Sequence, residues 1–189
     1  MDSEGLKKRA IVIIWNDRNP FTFSDIAYSG SFLNVARYYE NLKGTHGKKV
    51  FTLPMGNDGL NIICKVDDRY CIEELIIIDH GNLKGSQLIQ GQEMEKLGSI
   101  LQTLSDKLCD STNIPIRIKL LGCGAGQVTS PDEIPPTAQK LLDMCTINSE
   151  GKPRRVQVEA YPGIVNTFDS PVPRKEQARG LKRFPNPKK

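Results

Sequence analysis

Apolar residues are concentrated in five short segments of this chain, with polar turns or longer mixed stretches between them. The segments are residues 10–15, 49–53, 75–78, 114–121 and 155–161. The first is a continuous apolar run, which is typical of a strand buried on both faces, whereas the last alternates apolar and polar positions. Residues 60–66 also have the composition of a short strand, placed in a hairpin between two turns. The pattern predicts a sheet built from these segments.

Three of the stretches between the strands have helical spacing. Ser24 is a suitable N-cap for a helix that runs to about Leu42, and Gly44 follows as a stop signal. A second helix is indicated by an apolar stripe with the spacing of one helical face. The stripe consists of Leu97, Ile100, Leu101, Leu104 and Leu108. The third helix runs from about Pro136 to Met144. This order of elements predicts a three-layer α/β domain, with a mostly parallel central sheet flanked by helices.

Positive charge is concentrated at the end of the chain. Residues 171–189 contain seven lysines and arginines and one acid, so they carry +6, and the remaining 170 residues carry −2. This segment is rich in proline and has no apolar periodicity. We therefore predict a single domain over residues 1–170 and a basic tail over residues 171–189. The tail fits a solvated segment, or a binding site for a polyphosphate or another acidic partner through Arg174, Arg179 and Arg183.

The composition is that of a soluble globular protein, with 38% hydrophobic and 25% charged residues. No apolar run approaches the roughly 20 residues that a membrane span requires. The first residues are charged and lead directly into strand-like sequence, which is not the pattern of a signal peptide. We therefore expect a cytoplasmic protein, or an effector that is exported without a hydrophobic signal and acts in a host cytosol.

The cysteines are few and scattered. They stand at positions 64, 71, 109, 123 and 145, which is an odd number without a CxxC pair, and the chain has only two histidines. This pattern argues against a disulfide framework and against a metal site. We therefore expect reduced thiols in a reducing compartment, and no metal.

One strand–helix–strand unit, residues 71–128, contains the candidate chemistry. Its first strand leads to His80 and its second to Cys123. A crossover helix makes such strands parallel, and parallel strands end at the same edge of the sheet. A histidine and a cysteine that meet at this edge are a candidate base and nucleophile for acyl transfer.

Glycines beside both residues suit this chemistry. A thiolate attacks a carbonyl carbon, and the imidazole can take the thiol proton and later protonate the leaving amine. Gly81 and Gly124 let the backbone approach a substrate closely. The N–H groups of Gly81 and Cys123 would then form the oxyanion hole.

Other interpretations remain open at this point. A histidine after a strand can be a simple loop residue, and a cysteine among glycines can be a small residue in a tight turn. The glycines at 122, 124 and 126 imitate part of a dinucleotide-binding fingerprint, which would indicate a nucleotide or phosphate binder. A non-catalytic domain that binds a partner protein could have the same fold, because fold alone does not establish function.

The order strand, His-Gly, helix, strand, Gly-Cys resembles the caspase-like (clan CD) cysteine peptidases. It is most similar to the self-processing protease domains of large bacterial toxins. The similar stretches are IIIDHGN at 76–82, LIQGQEMEKLGSILQTL at 88–104, IKLLGCG at 118–124 and RVQVEAYPGIVNT at 155–167. The resemblance implies a caspase-like fold and a thiol protease, with His80 as base and Cys123 as nucleophile, that acts on a protein or on itself. Asp79 departs from the glycine usual before the histidine, and Gly124 from the serine or other small residue usual after the cysteine.

The resemblance also implies further site residues. Asn16 is a candidate orienting group, as in the legumain-like members, whereas alternation along the strand predicts that Asp79 faces away from His80. The candidate pocket residues are Gly124, Glu159 and Tyr161. Glu159 would suit a basic residue before the scissile bond, and an apolar one is equally open. The toxin domains use no catalytic cofactor but are activated by inositol hexakisphosphate, which we expect at the basic tail if it binds here.

Overall fold

The computed structural model describes residues 7–17, 24–79, 98–110, 113–122, 134–161 and 181–184. Within these ranges it has a six-stranded sheet and three α-helices. The strands are β1 (Lys8–Trp15), β2 (Lys49–Pro54), β3 (Tyr70–Ile78), β4 (Ile116–Leu121), β5 (Val156–Ala160) and β6 (Lys182–Phe184). The helices are α1 (Ser24–Gly44), α2 (Gly98–Lys107) and α3 (Pro136–Cys145). The predicted three-layer α/β architecture with a mostly parallel sheet is confirmed.

The strands follow the order β2-β1-β3-β4-β5-β6. The first five are parallel to their neighbours, and β6 pairs antiparallel with β5. Ile78 of β3 pairs with Leu121 of β4, and Leu120 pairs with Ala160 of β5. The last residues of β3 and β4 are therefore level, and β5 ends one position earlier in the register.

Helices cover both faces of the sheet. Because neighbouring strand residues face opposite sides, Ile13 and Ile14 belong to different hydrophobic cores. Ile13 lies in the core formed with α1, and Ile14 lies in the larger core formed with α2 and α3. Both isoleucines are completely buried. Burial on both faces explains why β1 is a continuous apolar run in the sequence.

The segment after β2 is a short helix and not a strand. Residues Gly59–Lys65 form a 3₁₀ helix, so the prediction of a strand over 60–66 is wrong. The helix buries Leu60, Ile62 and Ile63, all in the core that contains α2 and α3. A short apolar run has no periodicity that distinguishes a strand from a buried helical turn.

Part of the predicted tail belongs to the sheet. Lys182–Phe184 forms β6 at the edge of the sheet, and Phe184 is buried against Val158, its partner on β5. Residues 182–184 of the predicted basic tail are therefore part of the sheet. A strand of three residues is too short to produce a periodic pattern. The proposed domain boundary at residue 170 lies outside the described residues.

A disulfide joins Cys71, near the start of β3, to Cys109, just after α2. The expectation of reduced thiols is therefore wrong for this pair. Helix α2 returns the chain to the starting end of β3, where the Cys109 N–H donates to the Ile72 carbonyl at 3.0 Å. The two cysteines are 38 residues apart, and their spacing alone does not reveal this return. Among the described cysteines, Cys64 and Cys145 are free thiols.

Candidate active site

The carboxyl ends of the central strands form one continuous edge. Trp15 of β1 pairs with Ile78 of β3, which in turn pairs with Leu121 of β4. The residues that follow these strands, including Asn16 and Asp79, therefore leave the sheet side by side. Open α/β sheets place their sites at this edge.

The predicted catalytic residues are adjacent in the chain to this edge. His80, Gly81, Cys123 and Gly124 lie outside the described residues, so their roles stay predictions. The residue before His80 is described: the Asp79 N–H donates to the Leu121 carbonyl at 3.2 Å. The pairing of β3 with β4 therefore extends to the last residue before His80. Neighbouring strands are roughly 5 Å apart.

Asn16 has a clear partner at the end of β1. Its Nδ2 donates to Oδ1 of Asp79 at 2.6 Å, and its backbone N–H donates to the Ile78 carbonyl at 2.9 Å. Asn16 and Asp79 are each 2% exposed. Asn16 is the candidate orienting group, and Asp79, which alternation along the strand predicts to face away from His80, is its partner. The two side chains meet because β1 and β3 are neighbours in the sheet. No local sequence pattern encodes this strand order.

The start of the loop after β2 is also attached to this edge. The Gly56 N–H donates to Oδ1 of Asp17 at 2.6 Å, and the Met55 N–H donates to the Trp15 carbonyl at 2.9 Å. Gly56 has a φ of +52°, in the left-handed region that glycine adopts without steric cost. The ends of β1 and β2 are therefore held together immediately beside Asn16.

Glu159, a candidate pocket residue, is paired with cations of its own chain. It is buried on β5, with the Arg183 Nε at 3.0 Å from Oε1 and the Lys119 Nζ at 3.6 Å from Oε2. Burial lowers the pKa of Lys119, although the Glu159 charge partly opposes this shift. A basic substrate side chain would have to compete with both cations for Glu159.

Tyr161, the other described pocket residue, directly follows β5. It is buried and belongs to the α1-side core together with Leu121 and Tyr39. Burial raises the pKa of Tyr161, and the nearby Glu159 charge raises it further. The tyrosine therefore stays neutral at physiological pH, and its side chain packs inside this core at the end of β5.

The predicted anion-binding arginines are only partly described. Arg174 and Arg179 lie outside the described residues. The Arg183 side chain is 57% exposed although its Nε is bonded to Glu159, so part of its guanidinium faces solvent. Binding of inositol hexakisphosphate or another polyanion stays a prediction.

Two features of the described residues concern metals and membranes. Within the ranges listed above, no three histidine, cysteine or acidic side chains are grouped closely enough to hold a metal ion. In the same part of the chain, no helix is long and apolar enough to cross a membrane.

Comparison with known proteins identifies no family. No protein-family model matches the chain, and no curated protein matches it. The resemblance to caspase-like peptidases therefore rests on the sequence motifs alone.

Proposed function

We propose that the chain is a cysteine peptidase or a related acyl-transfer enzyme, with Cys123 as nucleophile and His80 as general base. The observation that carries the proposal is the arrangement of β3 and β4. These strands are adjacent, parallel and level at their carboxyl ends, and His80 and Cys123 follow those ends in the sequence. A base and a nucleophile must come within hydrogen-bonding reach of each other, and this arrangement supports such a contact.

The proposed reaction proceeds through a thioester. His80 takes the proton of the Cys123 thiol, and the thiolate attacks the carbonyl carbon of a peptide bond. The N–H groups of Gly81 and Cys123 donate to the oxyanion that forms. The C–N bond then breaks as the imidazolium protonates the leaving amine. Water, activated by His80, hydrolyses the thioester, which releases the acid and restores the thiol.

The substrate is a protein or a peptide, which includes the chain itself. Because Glu159 is already paired with Lys119 and Arg183, the described side of the candidate pocket favours an apolar residue before the scissile bond over a basic one. The residue types alone leave a basic and an apolar residue equally open at this substrate position.

The disulfide affects the proposed location. A bond such as Cys71–Cys109 persists in oxidising compartments and is rare in the cytosol, where thiol reductants keep cysteines reduced. We therefore favour an exported protein that acts outside the cytosol over a resident cytoplasmic enzyme.

Labelling with iodoacetamide tests the proposed nucleophile. The experiment uses a Cys64→Ser background because Cys64 is an exposed thiol, whereas Cys145 is buried and its burial raises its pKa to about 12. We expect one label per chain at neutral pH, its loss in Cys123→Ala, and slower labelling in His80→Ala. Labelling that persists in Cys123→Ala, or that is as fast in His80→Ala, would contradict the proposal. Thermal stabilisation by a nucleotide without such labelling would instead indicate a nucleotide binder.

A further inference from the structure

A cleft of about 280 Å³ borders the disulfide at the amino-terminal edge of the sheet. Cys109 forms part of its wall, together with Ile114 and Pro115 before β4. Cys71, the other half of the disulfide, is half-buried, whereas Cys109 is almost completely buried. Arg9, another wall residue, is the register partner of Cys71 on β1, so the two side chains lie on the same face of the sheet. A small molecule in the cleft would therefore lie against the disulfide.

The charges of this cleft that face solvent are positive. Arg9 and Lys48 form ion pairs with Glu73, and Arg117 forms one with Glu74. The side chains of the three cations are 45%, 47% and 46% exposed, whereas those of the two glutamates are only 15% and 5% exposed. The carboxylates therefore lie beneath the cations. An approaching anion meets the cationic groups first, and the forked donors of arginine are suited to carboxylates.

We propose that this cleft recruits small acidic thiols, such as glutathione, and that the Cys71–Cys109 disulfide exchanges with them. The thiolate of the small molecule attacks one sulfur of the pair. The S–S bond breaks, and its electron pair goes to the other sulfur, which takes a proton from water. The products are a mixed disulfide on one cysteine and a free thiol on the other. A second acidic thiol attacks the mixed disulfide, so the two small molecules leave as their own disulfide and both protein cysteines are reduced.

The cationic cleft acts in this reaction by raising the local concentration of the reductant. Exchange rates depend on the access of the attacking thiolate to the sulfur, and a cleft lined by one sign of charge concentrates ligands of the opposite sign. The disulfide would then open faster with acidic thiols than with neutral or basic ones. This exchange requires no residue of the proposed peptidase site, so it stands or falls independently of that function.

Two reductants with the same thiol group but different charge test the recruitment. Glutathione carries two carboxylates and one ammonium group, and its diethyl ester carries the ammonium group alone. The oxidised chain is used in a Cys64→Ser/Cys123→Ala background, in which the remaining free thiol, that of Cys145, is buried. Acid quenching and mass spectrometry follow the opening of the disulfide at equal thiolate concentrations, and peptide mapping locates the mixed disulfide. At low salt, glutathione should open the bond about fivefold or more faster than the ester, and this ratio should approach one in ~1 M salt.

Matched double variants test the role of the cations. Arg9→Gln/Lys48→Gln removes two of the exposed cations of the cleft, so it should slow opening by glutathione about fivefold or more without slowing opening by the ester. Lys65→Gln/Lys152→Gln makes the same change in net charge at two exposed, ion-paired lysines that do not line the cleft, and it should leave both rates unchanged. All four positions are exposed, and circular dichroism confirms that the variants are folded.

Three results would overturn the proposal. The first is equal rates of opening by glutathione and its ester at low salt, which would mean that the charge of the thiol does not matter. The second is equal slowing in the two double variants, which would indicate an effect of net charge and not of the cleft. The third is a disulfide that glutathione leaves intact in the folded chain and that dithiothreitol opens only in urea, which would identify a purely structural bond.

Discussion

The disulfide between Cys71 and Cys109 should contribute a large share of the stability of this domain. The perturbation is the double substitution Cys71→Ala/Cys109→Ala, which removes the bond without leaving an unpaired thiol. In the folded protein, backbone contacts also hold the end of α2 against the start of β3, independently of the disulfide. Leu108 pairs with Ile72 in an isolated bridge, and the Cys109 N–H donates to the Ile72 carbonyl at 3.0 Å. The main effect is therefore expected in the unfolded chain, which gains conformational entropy when the disulfide is removed.

The magnitude follows from the length of the closed loop. For a sequence separation of 38 residues, the chain-entropy relation gives about 4 kcal/mol at 25 °C. Typical domains are stable by only about 5–15 kcal/mol, so this loss is a large fraction of the total. We expect the unfolding free energy to fall by about 2–4 kcal/mol, because unfolded chains retain some structure and the full entropy is rarely realised.

Urea unfolding measures this loss. The fluorescence of Trp15, the single tryptophan, reports the transition, since its side chain packs against the α1-side core. The wild type in dithiothreitol should unfold at the same urea concentration as the double variant in buffer, and dithiothreitol should not shift the double variant. Cys64→Ala removes an exposed free thiol and should change the free energy by less than about 0.5 kcal/mol.

Two results would show that the disulfide does not stabilise the domain in this way. The first is a wild-type midpoint that stays unchanged under conditions where mass spectrometry shows the disulfide reduced. The second is a double variant that loses less than about 1 kcal/mol, which would mean that the unfolded chain is already constrained in this loop.

Two further predictions concern buried groups near the amino ends of the strands. The buried guanidinium of Arg154 donates to the Ser105 carbonyl at 2.8 Å and to the Ile147 carbonyl at 3.0 Å. Arg154→Met removes both hydrogen bonds, so it should lower the unfolding free energy by about 2–4 kcal/mol in urea titrations. Arg155→Met, at an exposed position, should have an effect within about 0.5 kcal/mol. Burial raises the pKa of the Cys145 thiol from 9.0 to about 12, so above pH 9 the unfolded chain loses this proton while the folded chain keeps it. Stability should therefore fall as the pH rises, and between about pH 8 and 10 the wild type should lose about 1 kcal/mol more than Cys145→Ala. Equal losses of stability in the wild type and in Cys145→Ala would contradict the raised pKa of the Cys145 thiol.

The central sheet was predictable because its strands have strong local patterns. Helices on both faces make β1 and the second half of β3 continuous apolar runs, and these runs are visible in the sequence. The stripe that contains Leu104 and Leu108 likewise predicted a helix where α2 lies, and both leucines are buried in the larger core. The wrong predictions fall where local patterns are short. The 3₁₀ helix at Gly59–Lys65 and the three residues of β6 have too few positions to show a period.

Contacts between distant segments were not predictable from local patterns. The disulfide depends on the return of the chain along α2, and the Asn16–Asp79 bond depends on β1 lying beside β3 in the sheet. The pairing of Glu159 with Lys119 and Arg183 depends on the order of β4, β5 and β6. By contrast, the side-by-side ends of β3 and β4 follow from the crossover rule for one strand–helix–strand unit. The parallel strands that precede the candidate residues were therefore predictable from the sequence, whereas the contacts beside their ends were not.

Cleavage of a peptide library shows whether Cys123 and His80 perform acyl transfer. The library is incubated with the folded wild type, with and without inositol hexakisphosphate, and with Cys123→Ala, His80→Ala and the control Cys64→Ala. We expect cleavage after apolar residues by the wild type and Cys64→Ala, and a loss of about a thousandfold or more in Cys123→Ala and His80→Ala. Wild-type rates in Cys123→Ala or His80→Ala, or no cleavage by the folded wild type in either condition, would contradict the proposed acyl transfer.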